Sequence, residues 1–375
     1  MSFLAVGERA AVSAKARVYR GRLLSPDDYL RLLEFETVGE IGAYLAKSEA
    51  YGSYISVPSP ESLHRGDLEA IITSVPLLEE IPFCRYLGPE RCSLLRSWGE
   101  RFDVDVIKRV LRMITTGVGN REALRRRVAT VPITVADGEK LLAARTLRDV
   151  LDSLRGYPLY NILSEPLKRL EKEGGTLFRA KMAMDIFFLT RILSRGGRLP
   201  GSEGQGVRQI FGTRADLINI YWIYRSRRFF SLTPEEALGM TLPVRFRISF
   251  ETLSSFAFAP DVPSMVKLIR ESVYGGAFGT NHSGETTEVN EMTLEHNLYR
   301  ILWKNASKIF GSGSSGVHVV LAYLTLRELE VKDLFTIIED VRYHYDKKKA
   351  REFLIHAAAA SFAGQEKEGV SPWLS

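Results

Sequence analysis

The residue types that most often carry chemistry are sparse in this chain and poorly spaced for it. Six histidines, His64, His282, His296, His318, His344 and His356, are scattered through 375 residues. They lack the intervals that gather metal ligands into one site. Glu295-His296 is the one suggestive acid–imidazole pair, and neighbours in sequence do not share a helix face. A solvated or core histidine is the plainer reading of each. Cys84 and Cys92 are too few for a disulfide framework; they read as two core or surface thiols in a reducing compartment. Gly311-Ser-Gly-Ser-Ser-Gly316 lacks the Lys-Ser/Thr of a phosphate cradle and reads as a flexible linker. HExxH, CxxC, P-loop and GxSxG patterns are absent. No catalytic, cofactor-binding or metal-binding residue is therefore assigned, and no cofactor is expected.

Charge offers more than nucleophiles do. Lys+Arg number 51 against Asp+Glu 45, a net charge of +6. That excess permits an acidic partner or a membrane surface. Basic clusters stand at Arg125–Arg127, at Arg225, Arg227 and Arg228, and at Lys347–Lys349. No nucleic-acid-binding signature accompanies them, so nucleic acid is not expected; a solvated face is the plainer reading, with a protein-partner face next. Arg225, Arg227 and Arg228 are the candidate partner-binding residues. Beside them, Tyr221, Trp222 and Tyr224 lie in the most apolar helical stretch. They read as core, with an interface hot spot as the alternative.

The elements that must position these residues repeat along the chain. Thr37, Val38, Glu40, Ile41, Leu45 and Tyr51 return as Thr146, Leu147, Asp149, Val150, Leu154 and Tyr160, each offset by 109. Leu268 and Tyr274 give a fainter third copy with the same Leu-to-Tyr spacing. A second pattern trails each copy: Asp105-Val-Ile, Asp216-Leu-Ile and Asp333-Leu-Phe. A period of roughly 110 residues is the length of a small domain and too long for a solenoid unit. The expectation is three related helical domains, at residues 10–118, 119–230 and 231–350, with a flexible tail at 361–375.

Local signals agree with an all-α fold. Ser25-Pro-Asp-Asp28 and Ser231-Leu-Thr-Pro-Glu-Glu236 have the cap, the proline and the acids of helix starts. Thr213 and Asp216 fit a capping-box variant. Ser194–Gly206 reads as a polar loop and Gly279–Glu288 as a linker. Val244–Ile248 is the best strand-like alternation, and it is short. No secretory leader pattern is visible at the N-terminus. The best apolar run, Val317–Leu326, is about half the roughly 20 residues that cross a bilayer.

The string Asp216-Leu-Ile-Asn-Ile-Tyr-Trp-Ile-Tyr-Arg225, followed by a short basic segment and Phe229-Phe230-Ser-Leu-Thr-Pro-Glu-Glu236, resembles the signature of the C subunit (d in eukaryotic naming) of rotary V/A-type ATPases. Arg327-Glu-Leu-Glu330-Val-Lys-Asp333-Leu is similar to that family's closing Glu-x-Glu-x-x-Asn motif, with Asp333 where Asn is more usual. Ala16-Arg-Val-Tyr-Arg-Gly-Arg-Leu-Leu24 resembles its opening. The likeness spans roughly residues 10–350. It implies three pseudo-symmetric helical domains arranged as a funnel. It further implies a non-catalytic rotor adaptor between the central-stalk subunits and the membrane proteolipid ring, peripheral on the cytoplasmic face. The competing reading is an all-helical scaffold unrelated to any ATPase.

Overall fold

Short helices with explicit start signals alternate with long ones in this chain. In the computed structural model, residues 3–57, 59–230, 232–275, 291–343, 350–351 and 353–356 are described. Lys347–Lys349, His282, His344, the Gly279–Glu288 linker and the 361–375 tail lie outside them. Every regular element among the described residues is helical. In order these are α1 (Phe3–Gly21), α2 (Pro26–Leu32), α3 (Val38–Lys47), α4 (Arg65–Glu80), α5 (Pro89–Thr116), α6 (Arg121–Thr130), α7 (Gly138–Ala143) and α8 (Leu147–Ser153). They continue as α9 (Leu159–Glu173), α10 (Phe178–Gly197), α11 (Gly201–Phe229), α12 (Pro234–Gly239), α13 (Phe250–Ala257), α14 (Val262–Glu271), α15 (Glu291–Gly311) and α16 (Val317–Tyr343). Short 3-10 turns stand at Pro60–Ser62 and Ile81–Tyr86.

The repeat is a capped helix with a fixed buried stripe. Thr37 and Thr146 cap α3 and α8 through full capping boxes with Glu40 and Asp149. Each such cap is worth about 1 kcal/mol. Ile41 and Leu45, then Val150 and Leu154, are fully buried behind them. The third copy is helix α14, capped by Asp261 through the Ser264 amide. Its buried residues at the same offsets are Met265 and Ile269. Leu268, the expected counterpart of Leu45, is only packed against that core; the true register lies one residue later. A Ser-based turn then follows in the first and third copies. Ser48 and Ser272 each donate a hydroxyl hydrogen bond to the carbonyl three residues back. Tyr51-Gly52 and Tyr274-Gly275 come next. A Cβ on Gly275 would lie 1.6 Å from the Arg270 carbonyl oxygen, so no side chain fits there.

Three long helices link these capped units to one another. The first halves of α5, α11 and α16 share one apolar cluster that includes Trp98, Phe211 and Tyr323. Each second half enters a different outer cluster. Val104–Leu111 of α5 meets the second repeat, Leu217–Tyr224 of α11 the third, and Val331–Val341 of α16 the first. The first repeat is thus closed by the far end of the chain.

Several local expectations change. Ser194–Gly206 is mostly helical, because α10 runs to Gly197 and α11 starts at Gly201. Thr213 and Asp216 do not start a helix; they sit fully buried inside α11. Asp216 instead accepts the amides of Phe246, Arg247 and Ile248, at 2.9, 2.7 and 3.2 Å, and the Tyr274 hydroxyl at 2.8 Å. Those bonds explain why Val244–Ile248 forms no strand: three of its N–H groups are taken by a helix side chain. In the preceding unit Asp103, not Asp105, has this role, accepting the Thr134 amide and hydroxyl. Cys84 and Cys92 are not free thiols. They form a disulfide that ties the 3-10 turn to the start of α5. Gly311–Gly316 is pinned rather than slack, through Arg17 to the Ser314 carbonyl and the Gly316 amide to Ser13.

Candidate functional site

Charged side chains inside α16 bind the rest of the molecule to it. Glu328 is 4% exposed. It accepts two hydrogen bonds from Arg214 of α11, at 3.1 and 2.7 Å, and a third from Arg101 of α5. One carboxylate therefore fastens the three long helices near their midpoints. Burial alone would raise its pKa, but the two guanidinium groups outweigh that and hold it far below the usual carboxylate range.

Glu330, two residues on, ties α16 to the N-terminal part of the chain. It accepts the Leu24 amide at 2.7 Å and the Tyr51 hydroxyl at 3.0 Å, and pairs with Arg327. The buried Arg327 also reaches Glu79 of α4, with two bonds of 3.1 Å, and lies 4.3 Å from the Tyr51 ring centroid. Asp333 accepts the Ile355 and His356 amides and the His356 Nδ1, so α16 also holds the last described residues. At its start, Glu203 of α11 accepts the Val317 amide at 3.0 Å and pairs with Arg91. The acids of the Arg327–Asp333 motif therefore join α16 to the rest of the chain.

Two cavities flank Glu328, of about 260 and 330 Å³. They share Arg101, Asp105, Glu295, Tyr299, Glu328 and Lys332 as lining residues. Lys332 lies over the Tyr299 ring at 4.3 Å. Glu295 accepts the Tyr299 hydroxyl at 2.7 Å and the Tyr221 hydroxyl at 3.4 Å, while His296 faces Phe353. Glu295 thus faces two tyrosines and His296 a phenylalanine. His318 is buried on Ser314, and His64 is exposed at the start of α4.

The three singled-out arginines end α11 and behave differently. Arg225 is half-buried with its guanidinium 5.5 Å from the Tyr221 ring centroid. It belongs to a cationic group with Lys108, Arg112 and Lys181; burial and these like charges lower the pKa of Lys181. Arg227 donates to the Ala259 carbonyl at 3.0 Å, which makes it partly structural. Arg228 is exposed beside exposed Phe229 and Phe230. Tyr224 is core, whereas Tyr221 and Trp222 are half-buried. The run Arg125–Arg127 splits too: Arg125 faces Glu122, Arg126 crosses to Asp67 of α4, and Arg127 turns inward. Arg101, Arg214 and Glu328 were missed by sequence reasoning. Each stands among other charges, Arg101 next to Glu100 and Asp103, Arg214 near Asp216, and Glu328 between Arg327 and Glu330, so no local pattern sets it apart.

An all-helical body, fastened by buried ion pairs about a charged cavity, has the build of an assembly component. Similarity to known proteins supplies the family. The profile described as ATP synthase (C/AC39) subunit matches residues 12–353. The chain belongs to that family, a non-catalytic rotor or central-stalk component of V/A-type ATPases. It is similar to the C subunit of the A-type ATP synthase of Methanosphaera stadtmanae, 24% identical over 332 residues, covering 88% of this chain and 83% of the relative. The corresponding protein of Methanocaldococcus jannaschii is 22% identical over 355 residues, covering 92% and 86%. That of Archaeoglobus fulgidus is 24% identical over 343 residues, covering 88% and 91%.

Proposed function

We propose that this chain is the adaptor joining the central stalk to the membrane proteolipid ring. It would sit on the cytoplasmic face and pass torque for proton or sodium transport coupled to ATP hydrolysis or synthesis. Three pseudo-symmetric helical domains arranged as a funnel would make that body. No helix among the described residues is long and apolar enough to cross a membrane, so contact with the ring would be peripheral.

The observation that carries this reading is the Glu328 clasp. Each charge crossing a membrane releases roughly 2.3 kcal/mol per 100 mV. Passing such energy between two partners needs a body that does not shear. Closely packed helices transmit strain. A buried carboxylate held by α5 and α11 at once resists sliding of α16 against either, because parting a buried pair costs about 3–5 kcal/mol. Arg225, Arg227 and Arg228 are candidate contacts for acidic loops or headgroups. The test is capture, in separate assays, of the purified stalk subunit and of ring-containing membranes by this chain. Binding to both supports the adaptor; binding to neither refutes it. Arg228→Glu, at an exposed position, should weaken one of the two captures without changing stability.

A further inference from the structure

The larger cavity carries positive charge that the Glu328 clasp does not absorb. Arg127 lines it from α6 and Arg109 from α5. Arg127 is 6% exposed. Its Nη2 donates to the Phe102 carbonyl at 2.9 Å, and its Nη1 has no partner among the described residues. A buried cation without a carboxylate bonded to it is costly. Burial lowers its pKa to about 10, although Asp105 and Asp103 oppose the change, while Arg109 and Arg101 add like charge. Asp103 already accepts two hydrogen bonds from Thr134. Arg101 is committed to Glu328. Arg109 is exposed and has no salt bridge among the described residues. Arg125 and Arg126 on the same helix each find a carboxylate within salt-bridge distance, whereas Arg127 shares the buried face with Leu124 and has none among the described residues.

We propose that Arg127 and Arg109 form an oxyanion site in the wall of this cavity, taking a carboxylate or a phosphate group. A guanidinium offers paired N–H donors that suit the two oxygens of either group. The source is an acidic side chain of a docked stalk subunit or a free anion. The first source rests on the adaptor reading above; the second does not.

The full chain is titrated with inorganic phosphate, against chloride at matched ionic strength, and its Tm is followed. A saturable rise is expected if the site takes free anions, with half-saturation shifted at least tenfold in Arg109→Glu and in Arg127→Met. If phosphate does not act, stalk-subunit affinity decides. Arg109→Glu should then weaken it at least tenfold while keeping the parental Tm, which separates binding from folding. Phosphate response and stalk affinity both unchanged in Arg109→Glu would overturn the site. A parental chain that binds no stalk subunit removes the docking reading only, and the phosphate titration then decides alone.

Discussion

Glu328 and Glu80 show how burial decides the behaviour of a single carboxylate. Glu328 has two arginines to offset its desolvation, so its pKa falls. Its contribution to stability is complete above the unfolded carboxylate pKa and is lost as pH falls below it. Glu328→Gln strands Arg101 and Arg214 and should destabilise by about 3–5 kcal/mol, read by urea unfolding at pH 7. Glu80 is the opposite case. Its Oε1 has no hydrogen-bond partner among the described residues. Burial pushes its pKa up to about 7 against only partial relief from Arg96. The folded state therefore binds a proton that the unfolded state releases. Stability falls as pH rises from 4.5 to about 7, by up to roughly 3 kcal/mol. Glu80→Gln should flatten that slope and be more stable than the parent at pH 8. An unchanged pH profile would show that Glu80 ionises freely.

At the level of elements, the capped repeat was the most legible part of the sequence. Its Thr-x-x-acid box states its own hydrogen bonds, and its buried stripe follows helical spacing. The third copy was blurred because Asp261 replaces threonine and the tyrosine slips by one residue. Gly275→Ala tests that copy: a methyl group driven against the Arg270 carbonyl should cost more than the roughly 1–3 kcal/mol of ordinary overpacking and lower the Tm visibly. A parental Tm would mean the turn relaxes freely. Long helices were less legible. Glycines and polar residues at Ser194–Gly206 mimic a loop, and Thr213 with Asp216 mimics a cap. The first arises where two helices meet at an exposed turn, the second because the middle of α11 is buried on all sides and Asp216 serves a distant loop. The disulfide could not be read from two cysteines alone. A cross-link over 8 residues contributes about 2–3 kcal/mol by chain entropy, so a reductant should lower the Tm by a few degrees. Replacing both cysteines with serine should abolish that response to reductant.

For the whole molecule, the absence of catalytic spacing and the threefold period were both visible in the primary structure. The shared centre was not, because Arg101, Arg214 and Glu328 are brought together from three distant stretches by packing that no local pattern encodes. That centre makes one body of three long helices, as the proposed adaptor role requires. The direct measurement is ion transport by the reconstituted ATPase with and without this chain. With the chain left out, ATP hydrolysis should persist in the soluble head while ATP-driven ion uptake into vesicles disappears, and adding the purified chain should restore it. Ion uptake that continues undiminished without the chain would contradict its role as the coupling piece.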